Sequence, residues 1–446
     1  MANPCVIEIN DIAVTLADAQ GPRLNSASCA LWQGNKLLVG DEARARARLN
    51  PRLTYDRFWS QLDQQPLHRP AGDANSHADL AWFHLKDLWD KAGAPDDEVI
   101  FAVPPDWEKP QLALLLGIAQ ACEIPAAGLI ASPIAAAGGM AVQNNLLYLD
   151  AQWQRIRATR ISGDSQLALG PSWEASKRGI SAYHEQWANL IAQQFLHELR
   201  FDPMHQADSE QLLYNQLPDW LQKLHDHSSA LLELEVGPRR YRLEMPRQAL
   251  IGAASQDYAS MAANARAAEP AQRLLNHCLA ELPGLTQAFE NEGLSTRVCP
   301  TDAVTQGVLG HFNRIRSDPE APAFVTRLPR SRPGSDSAPS SAQAPAPAAE
   351  VPVPTHVLQG WRALALKDHK ALREAGLTQA GVSLSFDQKG PLLEVAAEAA
   401  AQLNGRPLTG EHRPLAGDRL HFDRPNFEQS GQDWLFIVAD THHGPE

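Results

Sequence analysis

No stretch of the 446 residues approaches the roughly 20 consecutive apolar positions that a membrane-spanning helix requires. The opening residues Met1-Ala2-Asn3-Pro4-Cys5 carry neither the basic start nor the apolar core of a secretory signal. A cytoplasmic protein with no membrane span is therefore expected. Positive charge is also short, with 39 Lys and Arg against 52 Asp and Glu, a net charge of −13. Nucleic-acid binding draws on a basic surface that displaces counterions, so no nucleic-acid partner is expected. Only five cysteines occur (Cys5, Cys29, Cys122, Cys278, Cys299), and none has C-x-x-C or other metal-type spacing. Four of them sit among apolar or small residues and read as buried hydrophobes. The sixteen histidines contain no H-E-x-x-H pattern, and His225, His227, His442 and His443 read as solvated surface.

What is present is ordinary for a folded chain: 44% apolar and 20% charged residues, with length for two or three domains. Residues 329–354 read PRSRPGSDSAPSSAQAPAPAAEVPVP. Such a segment cannot bury enough surface to offset its ordering entropy, so a disordered linker is expected there. It separates a domain over residues 1–328 from another over 355–446. In the first, residues 6–9 and 12–16 read as a hairpin, because parallel pairing would need a long crossover. Residues 99–103 and 146–149 read as short buried strands. Residues 108–122 form a helix with Pro110 in its first turn. Residues 184–200 place Trp187, Leu190, Ile191, Phe195 and Leu199 on one helical face. Strands alternating with helices imply an α/β domain. Trp82, Trp89, Trp187 and Trp220, at helical spacing, are expected in cores. Arg44, Arg46 and Arg48 are expected on a solvated helix face.

Several segments, in order, resemble Hsp70 nucleotide-binding domains. Leu38-Val39-Gly40-Asp41-Glu42-Ala43 with Asn50-Pro51 and Thr54 resembles V-G-x-x-A…N-P-x-x-T. Val103-Pro104, Gln111 and Ser132-Pro133-Ile134-Ala135-Ala136-Ala137 resemble V-P-A-x-F…E-P-T-A-A-A. Cys299-Pro300-Thr301-Asp302-Ala303-Val304-Thr305-Gln306-Gly307 resembles N-P-D-E-A-V-A-x-G. The resemblance implies a two-lobed actin/Hsp70-like ATPase fold with a nucleotide cleft between the lobes.

The phosphate-holding glycines of that family are missing. They matter because backbone N–H groups must reach the phosphates with no Cβ in the way. Where the family has D-x-G-T-T, this chain has Asn10-Asp11-Ile12. Where it has D-x-G-G-G-T, Asp150 stands but Ala151-Gln152-Trp153-Gln154-Arg155 follows. The adenosine loop G-G-x-x-x-x-P becomes Leu279-Ala280-Glu281-Leu282-Pro283-Gly284. The E-P-T motif becomes Ser132-Pro133-Ile134, and the family lysine falls near Trp59, with Arg57 the nearest substitute. Phosphoryl transfer depends on charge at such points. The resemblance thus implies a vestigial cleft marked by Asn10, Asp11, Asp150, Gln152, Pro283 and Gly284, a pseudo-ATPase, and no cofactor. Without its glycines, Asp150 reads as a capping or turn residue.

In the second domain, Asn404-Gly405 and Ala416-Gly417-Asp418 are turn signals between short strand candidates, so a small β-sandwich is expected. Asn404-Gly405-Arg406-Pro407-Leu408 and Leu415-Ala416-Gly417-Asp418-Arg419-Leu420 resemble the closing N-G-x-x-L…G-D-x-I of forkhead-associated domains. Those domains hold phosphothreonine with a Gly-Arg and a Ser-x-x-His. Gly360-Trp361-Arg362 and residues 383–386 do not reproduce these motifs, which leaves a structural or docking role. Three functions fit: a non-catalytic Hsp70-like scaffold that binds a protein partner, such as an active Hsp70-type chaperone; an ATP-dependent chaperone using ATP and Mg²⁺ in an unorthodox site; or an actin-like assembly platform of a pilus or secretion machine.

Overall fold

The computed structural model describes residues 3–93, 97–317 and 323–330, and between 355 and 437 the strands named below with a few flanking residues. The protein is mixed α/β and divides into two compact units, Met1–Ala338 and Pro339–Glu446.

The first unit is built on two six-stranded sheets. In one, β1 (Pro4–Ile9), β2 (Ala13–Asp18) and β3 (Gly21–Ala27) form an antiparallel meander. Beside β1 run β4 (Glu98–Val103) and then β5 (Ala126–Ala131), both parallel to it. The other sheet repeats this plan. Here β6 (Asn145–Ala151), β7 (Ile156–Ser162) and β8 (Gln166–Ser176) form the meander. Then β9 (Gln272–Leu275) and β10 (Thr296–Val298) run parallel to β6 on its other side. The chain then passes from one sheet to the other: Phe324–Val325 pairs with β5, and Arg327–Pro329 pairs with β8.

Helices cover these sheets. Among them are α1 (Asp41–Arg44), α2 (His77–Ala92), α3 (Lys109–Ala121), α4 (Ser132–Gly138), α5 (Ile180–Leu199), α6 (Ala207–Asp226) and α7 (Arg247–Ala267). The start of α2 is fixed by a capping box between Ser76 and Asp79, and its end by Gly93 in the left-handed region. At α3, Glu108 and Gln111 cap reciprocally and Pro110 lies in the first turn.

Strand alternation explains how three cores arise. On β1, Cys5, Ile7 and Ile9 point toward α2 and α3. On β6, Leu147, Leu149 and Ala151 point toward α5, α6 and α7. The opposite faces share a third core, with Val6, Ile100 and Ile130 from one sheet and Leu146, Tyr148 and Leu274 from the other. β4 is buried on both faces, as a central parallel strand should be, which is why it reads as an unbroken apolar run.

Trp89, Trp187 and Trp220 are buried, and Trp82 packs against the first core from a half-buried position. On α5, Trp187, Ile191 and Phe195 are buried, but Leu199 is 36% exposed. The apolar stripe therefore stops a turn earlier than its spacing implies, where the chain leaves the helix through Arg200 in the left-handed region.

The second unit has two antiparallel sheets. The larger orders Arg362–Ala365, His356–Gln359, Asp433–Ile437, Arg419–Phe422, Ala401–Leu403 and Arg406–Pro407. The smaller contains Val382–Asp387, Gly390–Val395 and Gly410–His412. Side chains of both, among them Val357, Leu420, Phe436, Leu384 and Leu393, form one core. The turns at 404–405 and 415–417 and the linker at 331–354 lie outside the described residues.

Candidate functional site

The loops after β1 and β6 occupy equivalent places in the two repeated sheets, and they meet. After β1 the chain turns tightly because Asn10 Oδ1 accepts from the Ile12 N–H at 2.9 Å, an Asx turn. The amide of Asn10 then donates to the Ala151 carbonyl at 3.1 Å. Asp11 Oδ1 accepts from the Trp153 N–H at 2.7 Å. The first loop thus uses its side chains to bind the backbone of the second.

The second loop is held from behind as well. Gln152 donates its N–H to the Arg155 carbonyl at 3.0 Å and accepts from Arg155 Nε at 2.7 Å. The start of α5 donates to the Gln152 and Trp153 carbonyls through the N–H groups of Ile180 and Ser181, and Ser181 Oγ adds a bond of 2.7 Å. Gly179 is required at this point, because a Cβ there would lie 2.3 Å from Arg155 N. On the outer side, Trp153 Nε1 donates to Asp56 at 2.8 Å, and the Arg44 guanidinium lies over the indole at 4.0 Å. Asp106 ties the sheets further by pairing with Arg157 at 2.6 Å and Arg155 at 3.1 Å. Arg57 reaches Gln154 at 3.3 Å.

Between the loops, Ile9, Asp11, Trp59, Pro104, Trp107, Gln152 and Arg155 enclose about 10 Å³. That is room for about one water. Trp59 is buried and donates to His84 at 3.0 Å, and His84 in turn meets Ser26 Oγ at 2.9 Å. Ser132 is buried and donates to the Val103 carbonyl at 3.1 Å.

Three carboxyls close the inter-sheet core. Glu8 follows Val6 on one face of β1, and Asp150 follows Tyr148 on the facing side of β6. Burial pushes Glu8 up to about 7. Burial also raises Asp11 to about 6, against the opposing pull of the Trp153 N–H and Arg155. Asp150 is held well above the usual carboxylate range by burial and then by Glu8 and Asp11. Asp150 is therefore no cap or turn residue: it lies within β6, opposite Arg157 in the register. A polar residue one step from a strand end carries no periodic signal of its own, which is why spacing misplaces it.

Asn10, Asp11 and Gln152 are brought together, with Asp150 close behind. Pro283 and Gly284 do not join them. Both are buried against α7, where the Pro283 carbonyl accepts from Tyr258 Oη and Gly284, at φ +81°, faces Ile251. The arginine run also departs from expectation. Arg46 is exposed and pairs with Glu42, but Arg44 and Arg48 turn inward, Arg48 over Tyr214 at 3.8 Å. Their aromatic partners are more than a hundred residues away in sequence, so no local pattern announces them. No protein-family model and no curated protein matches the chain.

Proposed function

We propose that the first unit has the two-lobed actin/Hsp70-like fold and that the protein is a non-catalytic relative acting as a scaffold for a protein partner. The duplicated sheets, each a three-stranded meander followed by two parallel strands, support the fold reading. One observation carries the functional reading. The loops that would cradle phosphates hydrogen-bond to each other, Asn10 to Ala151 and Trp153 to Asp11, and leave about 10 Å³ between them. Pockets for small organic ligands measure roughly 300–1,000 Å³. The lobes are thus joined by the chain's own groups where a nucleotide would join them.

The second unit fits a docking role. Its two antiparallel sheets around one core support a small sandwich of the forkhead-associated kind. An Hsp70-type chaperone is the partner the resemblance favours.

The test is thermal denaturation and calorimetry with Mg²⁺–ATP. Millimolar ATP on a micromolar site would add roughly 4 kcal/mol of stability. The expected result is no shift beyond that of a matched salt control. A rise of several degrees, abolished by Asp150→Ala, would restore the ATPase reading.

A further inference from the structure

A second and larger concavity lies on the outer side of Trp153. It has a volume of about 290 Å³ and is lined in part by Arg44, Arg48, Asp56, Trp153, His184 and Tyr214. Besides Trp153, its walls come mainly from two places distant in sequence. One is the chain from α1 to Asp56, and the other is α5 and α6. They are fastened by Gln211, which accepts from the Arg48 N–H at 2.7 Å and donates to the Arg44 carbonyl at 3.3 Å, and by Asn215, which donates to the Ala45 carbonyl at 3.3 Å.

The charge inside is uneven. Arg44 stacks on Trp153 at 4.0 Å and donates to the Ile12 carbonyl at 3.2 Å, and among the described residues it forms no ion pair. Arg48 stacks on Tyr214 at 3.8 Å, with Glu210 at 3.6 Å as a partner toward the outside. Asp56, the lining carboxylate, already accepts from the Trp153 indole. Near both guanidinium groups, His184 is kept neutral, its pKa lowered to about 4 by burial and then by Arg44 and Arg48. Two cations thus face one engaged anion, in a protein whose net charge is −13.

Aromatic backing holds a guanidinium in one plane and leaves its edge free to donate paired hydrogen bonds. Paired donors of that kind match a carboxylate or phosphate group. The volume, near the low end for organic ligands, suits a metabolite-sized compound rather than a nucleoside triphosphate. We infer that this pocket is a receptor site for a small oxyanion, with Arg44 and Arg48 as its ligand-binding residues. The site is distinct from the small space between the loops after β1 and β6, and it stands whether or not the scaffold reading does.

Calorimetric titration of the full chain with sodium phosphate and with citrate, at constant ionic strength, tests it. Saturable binding of at least one of the two is expected. Arg48→Gln should weaken it by at least about tenfold, the loss of a bidentate charged contact. Ala47 also lines the pocket, so Ala47→Phe, which fills it without removing charge, should abolish binding, while Arg46→Gln on the exposed side should leave it intact. Circular dichroism melts serve to check that each variant is folded. No saturable heat with either anion up to about 10 mM, a range that detects even millimolar binding, overturns the inference. So does binding that survives Ala47→Phe, or that falls as far in Arg46→Gln as in Arg48→Gln.

Discussion

Glu8 sits where strand geometry gives it no choice. On β1 its side chain shares a face with Val6, and that face closes against the second sheet. Around it are Asp150, Tyr148, Cys278 and Cys299, each of whose own titration it influences. Its pKa rises from an ordinary 4.5 to about 7, and that of Asp11 from 3.8 to about 6. A carboxyl whose folded pKa is raised keeps its proton longer folded than unfolded. Its contribution to stability is complete below the unfolded pKa and is lost as pH rises through the folded one. Stability should therefore decline from about pH 4.5 to 7 through Glu8, and from about 4 to 6 through Asp11. Glu8→Gln is neutral at every pH. It should match the natural protein near pH 4.5 and exceed it at pH 8 by on the order of 2 kcal/mol. Urea titrations at the two pH values check this. Parallel curves, or a variant weaker at pH 8, would show that Glu8 is adequately solvated or paired as a carboxylate.

At the scale of elements, α4 and the helix Ala303–Gly310 cross with almost no space between them. A Cβ on Gly307 would lie 1.8 Å from the Ala135 carbonyl oxygen, and one on Gly139 would lie 2.5 Å from that of Ala303. Both obstacles are backbone, which cannot swing aside. Gly307→Ala should therefore cost about 3 kcal/mol, the upper end for an overpacked core. Gly310→Ala, in the same helix with nothing within 4 Å, should be neutral or slightly stabilising, since Ala is the better helix former. Chemical denaturation of the two variants measures the difference, and equal stability would mean that the helices slide apart without cost. Residues 303–307, with Val304 and Gln306 among them, carry no sign of this crossing, but the small-residue run at 135–139 was legible. So were β4 and β6, whose apolar residues fill both faces. The joined loops were not. Nothing in Asn10-Asp11 or in residues 151–153 says that they bind each other, because each contact spans over 140 residues. Arg44 and Arg48 hid in the same way, an alternating charged run being the ordinary signature of a solvated face.

For the whole molecule, the two units are self-sufficient in their cores. The clusters of the first unit draw on residues up to Leu328, and that of the second begins at Val357. Each unit should therefore stay folded when the chain is cut between them. The Pro-, Ala- and Ser-rich composition of residues 329–354 makes it the natural place to cut. Trypsin is a poor tool, because Arg332 precedes Pro333, and Arg330 is tied by its N–H to the Ser165 carbonyl at 3.0 Å. Elastase, which cleaves after small residues, has open bonds after Ala342, Ala348 and Ala349, whereas Ala338, Ala344 and Ala346 each precede proline. Limited elastase digestion should cut at those three bonds first and leave two resistant fragments. Mass spectrometry identifies the ends, and a melt of the purified larger fragment should reproduce the unfolding transition it shows within the intact chain. First cuts inside residues 1–320, or a larger fragment that melts far below its transition in the full chain, would mean that the first unit depends on the second. In that event the first unit and the C-terminal sheets form a single cooperative structure, and the proposed scaffold with a separable docking module is the wrong description.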